Sequence, residues 1–151
     1  RGVVYKRHGG CRPVMGVMAT FIQRAYDQLS HDVALNNLPA LFVDFCGGAM
    51  GGLTDMTHLG FFDIAMISNI PNILFLAPAT VEEYISMVDW AVDEAQQPVF
   101  VRTPAGEVIH TDRPVDMDFT NRIRLGYRHH CRRTYATDGG QSGRAPALKG
   151  D

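Results

Sequence analysis

The 151-residue chain predicts an α/β fold, a parallel sheet with helices on both faces. Three observations carry that reading. Short, continuously apolar runs recur at Ala40 to Asp44 (ALFVD), Ile73 to Ala77 (ILFLA) and Val99 to Arg102 (VFVR), as parallel strands covered on both sides require. Apolar residues at helical spacing fill two of the stretches between strand runs. Twice, a Thr is followed three residues later by Gln or Glu where such a stretch begins, the pattern of a helix N-terminus. Strand, helix, strand at this spacing implies right-handed crossovers and a parallel sheet.

Val14 to Met18 (VMGVM) is the first strand run. Thr20 and Gln23 then make the first capping-box pattern, and Ile22, Tyr26, Leu29 and Val33 follow at spacings of four, three and four on one helical face. Asn36, Asn37 and Pro39 end that helix, and ALFVD is the second strand. A Gly-rich connection, Cys46 to Gly60, leads into a short helix near Phe61 to Ile67 that Pro71 closes. ILFLA is the third strand. Thr80 and Glu83 repeat the capping box before a helix whose Tyr84, Met87, Val88, Ala91 and Ala95 share a face. Gln96, Gln97 and Pro98 break it; VFVR is the fourth strand, followed by the turn Thr103-Pro104-Ala105-Gly106.

Length and a hydrophobic fraction of 46% suit one domain that buries roughly two-thirds of its unfolded surface. The longest apolar runs fall far short of the ~20 residues a membrane span needs, and no secretion leader is expected at the start. Cys11, Cys46 and Cys131 are scattered without a C-x-x-C pair, which argues against a disulfide framework or structural zinc and points to the cytoplasm. The net charge of −2 hides a division. Residues 1–12 carry four Lys/Arg and no acid, residues 13–121 three Arg against fourteen Asp/Glu, and residues 122–151 seven Lys/Arg against two Asp.

In open parallel sheets ligands sit beyond the carboxyl ends of the strands, which draws attention to Ala19 to Arg24, Phe45 to His58, Pro78 to Thr80 and Thr103 to Gly106. The Gly-rich loop could cradle phosphate through its N–H groups, but it lacks a G-K-[ST] ending and does not fit G-x-G-x-x-G; a flexible connector is the plainer reading. His58 is either a surface histidine or a proton-shifting group near the strand ends. His31, on the first helix, reads as structural or exposed. Phe21 and Arg24 occupy the first helical turn, where an aromatic could pack on a planar ring and an Arg could reach an anion, or both could serve core packing and a surface ion pair. Asp44 and Asp63 lack the paired spacing of a metal or acid/base dyad and read as backbone or loop anchors.

ATFIQRAYDQLSHDVALNNLPALF (Ala19 to Phe42), THLGFFDIAMISNIPNILFLAP (Thr57 to Pro78) and PVFVRTPAG (Pro98 to Gly106) together resemble the pyrimidine-binding module of transketolase-like enzymes, with 1-deoxy-D-xylulose-5-phosphate synthase as the nearest subgroup. The resemblance covers about residues 8–118. It implies that thiamine diphosphate is held between this module and a separate diphosphate-binding module or subunit of a homo- or heterodimer, and that Mg²⁺ enters only through that second module. It implies that Phe21 stacks on the aminopyrimidine with Arg24 beside it, and that His58 is the active-site His that contacts the sugar and helps move protons. The implied chemistry is transfer of a two-carbon keto unit to an aldehyde, with the cofactor as electron sink.

The departures also matter. The family's Glu that protonates the aminopyrimidine is expected ahead of Gly9, so the module is expected to be N-terminally truncated and inactive alone. Phe45 and Ala105 stand where the nearest subgroup carries the two Arg that serve the acceptor phosphate. The resemblance therefore does not extend to those contacts. Residues 119–151 form an irregular basic tail that does not resemble the family. Re-read one base along, with one allowed choice of synonymous codons, Gly126 to Ala145 gives a buried-strand pattern and then an apolar helix, so the tail is expected to be frameshifted, with residues 1–7 of similar origin. A non-enzymatic α/β interaction or dimerisation domain is the rival reading. Binding of nucleic acid through the tail is the weaker third. No membrane partner is expected.

Overall fold

The computed structural model describes residues 9–48, 57–106 and 108–115. Four parallel strands, β1 (Val14–Met18), β2 (Leu41–Gly47), β3 (Leu74–Leu76) and β4 (Val99–Pro104), lie in the order β1-β2-β4-β3. The helices are α1 (Ala19–Ile22), α2 (Asp63–Ile67) and α3 (Val81–Asp93). All four strand runs read from the sequence are strands, and the parallel α/β architecture is as expected. The ends differ: β3 is trimmed to three residues at a sheet edge, whereas β2 and β4, central and paired on both sides, run on past Asp44 and Arg102.

Alternation along the strands divides the core into two layers. Phe42 and Phe100 face α1, α2 and the Gln28–Ala34 turns, packing with Ile22, Leu29, Val33, Ile67 and Ile70. Their neighbours Leu41, Val99 and Val101 face α3 and meet Met87, Ala91 and Ala95. The register sets Phe42, Phe100 and Phe75 side by side, with ring centroids 6.4 and 5.7 Å apart and near-parallel planes. Fully burying a side chain of this size contributes roughly 1.5–3 kcal/mol.

The second helix start follows its sequence pattern. The Thr80 hydroxyl accepts the Glu83 amide at 3.2 Å, and the Glu83 carboxylate accepts the Ala79 amide at 2.9 Å. The first does not. Helix α1 starts at Ala19, one residue before the expected cap, with Met18 as N-cap and no side-chain cap bond. Its winding then changes from α to a tight three-residue turn (Gln23–Ala25) and to wide turns over Gln28–Ala34 closed by bonds such as Leu35 N–H to Ser30 C=O at 3.0 Å. The phase shift explains why Ile22, Leu29 and Val33 are buried while Tyr26, expected on the same face, is exposed. Residues 1–7 and 119–151, for which a shifted reading frame is expected, lie outside the described residues, as do Cys131 and positions 49–56 of the Gly-rich connection. Among the described residues no helix is long and apolar enough to cross a membrane.

Candidate functional site

The carboxyl ends of β1 and β2 and the segment that leads into α2 meet at one place. Gly60 bridges to the end of β2: the Gly48 amide donates to the Gly60 carbonyl at 3.0 Å and the Gly60 amide returns a bond to the Gly48 carbonyl at 3.2 Å. A Cβ at Gly60 would lie 2.5 Å from the Ala19 Cβ and 3.0 Å from the Gly47 Cα, so the bridge sits against the start of α1 only because this residue is glycine. The Thr20 hydroxyl, instead of capping its helix, donates to the Thr57 carbonyl at 2.7 Å.

Those contacts bring the site residues named from the sequence together. The Phe21 ring meets the His58 imidazole edge to face, centroids 5.3 Å apart and planes at 87°. The Arg24 guanidinium lies over the Phe21 ring, 5.4 Å from its centroid, within cation–π range. The Thr57 hydroxyl and His58 Nδ1 are 3.1 Å apart. Phe21 is 39% exposed and His58 half-buried, so an aromatic surface with a cation and an imidazole beside it opens at the end of the sheet. His31, as expected, is exposed and away from this place, pairing with Asp27 at 2.9 Å. Phe45 is exposed at the end of β2, and Ala105 lies in the turn after β4.

The reading of Asp44 and Asp63 as loop anchors is overturned. Asp44 and Asp63 are 0% and 1% exposed. Asp44 ends the apolar run of β2, and the β2–β4 register sets it opposite Arg102. Arg102 pairs through Nε with Asp63, at the start of α2. Among the described residues no N–H or O–H donor of the chain reaches either Asp44 oxygen or Asp63 Oδ1. Burial beside the Asp63 carboxylate favours the protonated form of Asp44, which can donate to Asp63. Burial first, then the Asp63 charge, pushes the Asp44 carboxyl up to about 7, with Arg102 pulling the other way. One sequence signal could have found the cluster: two apolar strand runs end in opposite charges, ALFVD and VFVR.

The sequence matches the family model described as "Transketolase, pyrimidine binding domain" over residues 2–109. It is 44% identical over 98 residues to 1-deoxy-D-xylulose-5-phosphate synthase of Clostridium tetani, covering 65% of this chain and 16% of that protein. With the enzyme of the same name from Halothermothrix orenii it shares 39% over 111 residues, 74% of this chain and 17% of the relative. The chain thus spans about a sixth of the length of these curated relatives. A solved structure titled "Split gene transketolase, inactive beta4 tetramer" superposes with a TM-score of 0.61 at 20% identity, over 76% of this chain and 37% of that one, which shows a shared fold. The transketolase and deoxyxylulose-phosphate synthase families are thiamine diphosphate-dependent, and this chain belongs to the transketolase pyrimidine-binding domain family.

Proposed function

We propose that the chain supplies the pyrimidine-binding half of a thiamine diphosphate-dependent transferase that moves a two-carbon keto unit, resembling deoxyxylulose-phosphate synthase. The observation that carries this reading is the meeting of Phe21, Arg24 and His58, from two distant segments, at the carboxyl end of the sheet. The residues fit the cofactor's flat end: the Phe21 ring already carries one planar cation, so its π face suits a flat, electron-poor heterocycle. When bound, the cofactor supplies the electron sink for carbon–carbon bond cleavage and formation. Phe21 would stack on the aminopyrimidine with Arg24 flanking it, and His58, held through Nδ1 by the Thr57 hydroxyl, would contact the substrate and shuttle its protons.

The module takes in residues 8–118, and residues 119–151 stand outside it. Its partner is a diphosphate-binding module or subunit of the same family, through which Mg²⁺ enters; these 151 residues on their own do not turn over substrate. That a match of 98 residues fills only 16% of a curated relative supports the division. Calorimetry of the chain with thiamine diphosphate and Mg²⁺ should show little heat of binding, and micromolar affinity would overturn the shared-site reading. With a diphosphate-binding module from a family relative restoring two-carbon transfer, Phe21→Ala should raise the cofactor concentration required about tenfold or more. His58→Ala should lower kcat by roughly 10²–10⁴ with a smaller change in KM. Unchanged kinetics in both variants would remove the site assignment.

A further inference from the structure

We propose that Asp44, Asp63 and Arg102 form a buried, proton-sharing clamp that positions the Thr57–His58 segment against the start of α1 and loosens when it loses its proton. The three side chains come from β2, α2 and β4, so the clamp ties two elements beside the candidate site, β2 and α2, to the strand β4. The inference rests on the proposed function only in what it makes of the segment being positioned.

The geometry links the clamp to that segment in a short series of contacts. Arg102 lies under the end of β2 with no room to spare: a Cβ at Gly47 would stand 2.8 Å from its Nε and 3.0 Å from Asp63 Oδ2, and one at Gly48 would stand 3.2 Å from a terminal guanidinium nitrogen. Gly48 exchanges two main-chain hydrogen bonds with Gly60. Gly60 packs on Ala19, the neighbour of Thr20, whose hydroxyl holds the Thr57 carbonyl next to His58. Any movement of Arg102 and Asp63 is therefore carried to the His58 segment through close-packed backbone.

The proton decides whether the clamp is closed. The charged groups acting on Asp44 are Asp63 from α2 and Arg102 from β4. From β1 its register partner is Val17, which is not titratable. On its own side Thr103 donates to its main-chain carbonyl at 3.1 Å. With the proton in place, two carboxyls and one guanidinium carry no net charge. Without it, two buried carboxylates share one cation and repel each other, in a place that no further donor of the described residues reaches. Asp44 holds its proton more tightly in the folded chain than in the unfolded one. The stability this gives is fully present below about pH 4 and is lost as pH rises through about 7.

Carboxyl-carbon NMR of the full 151-residue chain should show Asp44 titrating with a midpoint near 7. Amide exchange should report the positioning. After correction for intrinsic base catalysis, protection of Gly48 and Gly60 should fall about tenfold or more between pH 6 and pH 8. In Asp44→Asn, which keeps a neutral, hydrogen-bonding group, protection should not depend on pH. An Asp44 midpoint below 5, or equal wild-type protection at both pH values, overturns the clamp, and both readings stand even where Asp44→Asn fails to fold. A purely structural cluster would leave the pH profile flat. No cofactor enters these measurements, so the clamp and the Phe21–His58 assignment can fail independently.

Discussion

At the start of α3 the Thr80 hydroxyl accepts the Glu83 amide and Glu83 returns a bond to Ala79; at the start of α1 the Thr20 hydroxyl turns away and donates to the Thr57 carbonyl. Both helices carry the same Thr-x-x-Gln/Glu pattern. What separates them is the company each keeps. Around Thr80 its own turn offers the available partner, and the local bond forms. Around Thr20 the Gly60 bridge has brought a carbonyl from a distant segment within reach, and the tertiary bond wins. A capping motif is a competition for one hydroxyl, and the side chain goes to the better-placed partner. One helix start is thus held locally, the other by contacts with the candidate site.

The contrast can be broken at three strengths. Arg102→Ala should have the largest effect, because it leaves the Asp63 carboxylate buried without its cation; about 3–5 kcal/mol of stability should be lost in urea unfolding. A loss under about 1 kcal/mol would show that the α1 side does not depend on the pair. Thr80→Ala removes a formed cap and should cost about 1 kcal/mol in the same assay. Thr20→Val should cost less than Thr80→Ala, since no cap exists there to lose, about 0.5 kcal/mol or less. It should nonetheless speed exchange at Gly60, whereas Thr80→Ala should leave Gly60 unchanged. Equal costs at the two threonines would mean that the two helix starts are held alike.

A surface contact near α3 gives the smallest expected effect. Glu82 accepts from the Thr111 amide at 3.0 Å and pairs with His110 Nδ1 at 2.9 Å. The His110 hydrogen bond, followed by main-chain donors, lowers the Glu82 carboxyl to about 2. Its contribution is present above the ordinary glutamate range and is lost as pH falls through about 2. Exchange of the Thr111 amide should therefore accelerate in strong acid relative to its intrinsic rate, with the sheet amides unaffected until global unfolding. Uniform acceleration would mean that the contact holds nothing locally.

Much of the fold was legible because it follows from short-range chemistry. Apolar runs such as ALFVD and VFVR leave a chain few choices but a covered strand, and the faces of α3 follow from spacing alone. Tyr26 was misplaced because the expectation assumed one helical period throughout, while the chain changes winding between Gln23 and Ala34. Phe21, Arg24 and His58 were nameable from their position at strand ends and from resemblance. That Phe21 and His58 touch was not. Asp44 and Asp63 were misread for a related reason: neither is near the other or Arg102 in the chain, and their meeting depends on the β2–β4 register and on the Gly48–Gly60 bridge.

The sequence by itself determined the strands, the start of α3 and the two-sided core, since each depends on residue type and local spacing, and the family, which rests on the strings from Ala19 to Gly106. The tertiary structure alone decided where the Thr20 hydroxyl points, that three ionisable side chains share one buried place, and that burial there raises the Asp44 carboxyl. These outcomes depend on distances between remote segments, and burial there makes the energy of a charge depend on every neighbour brought to it.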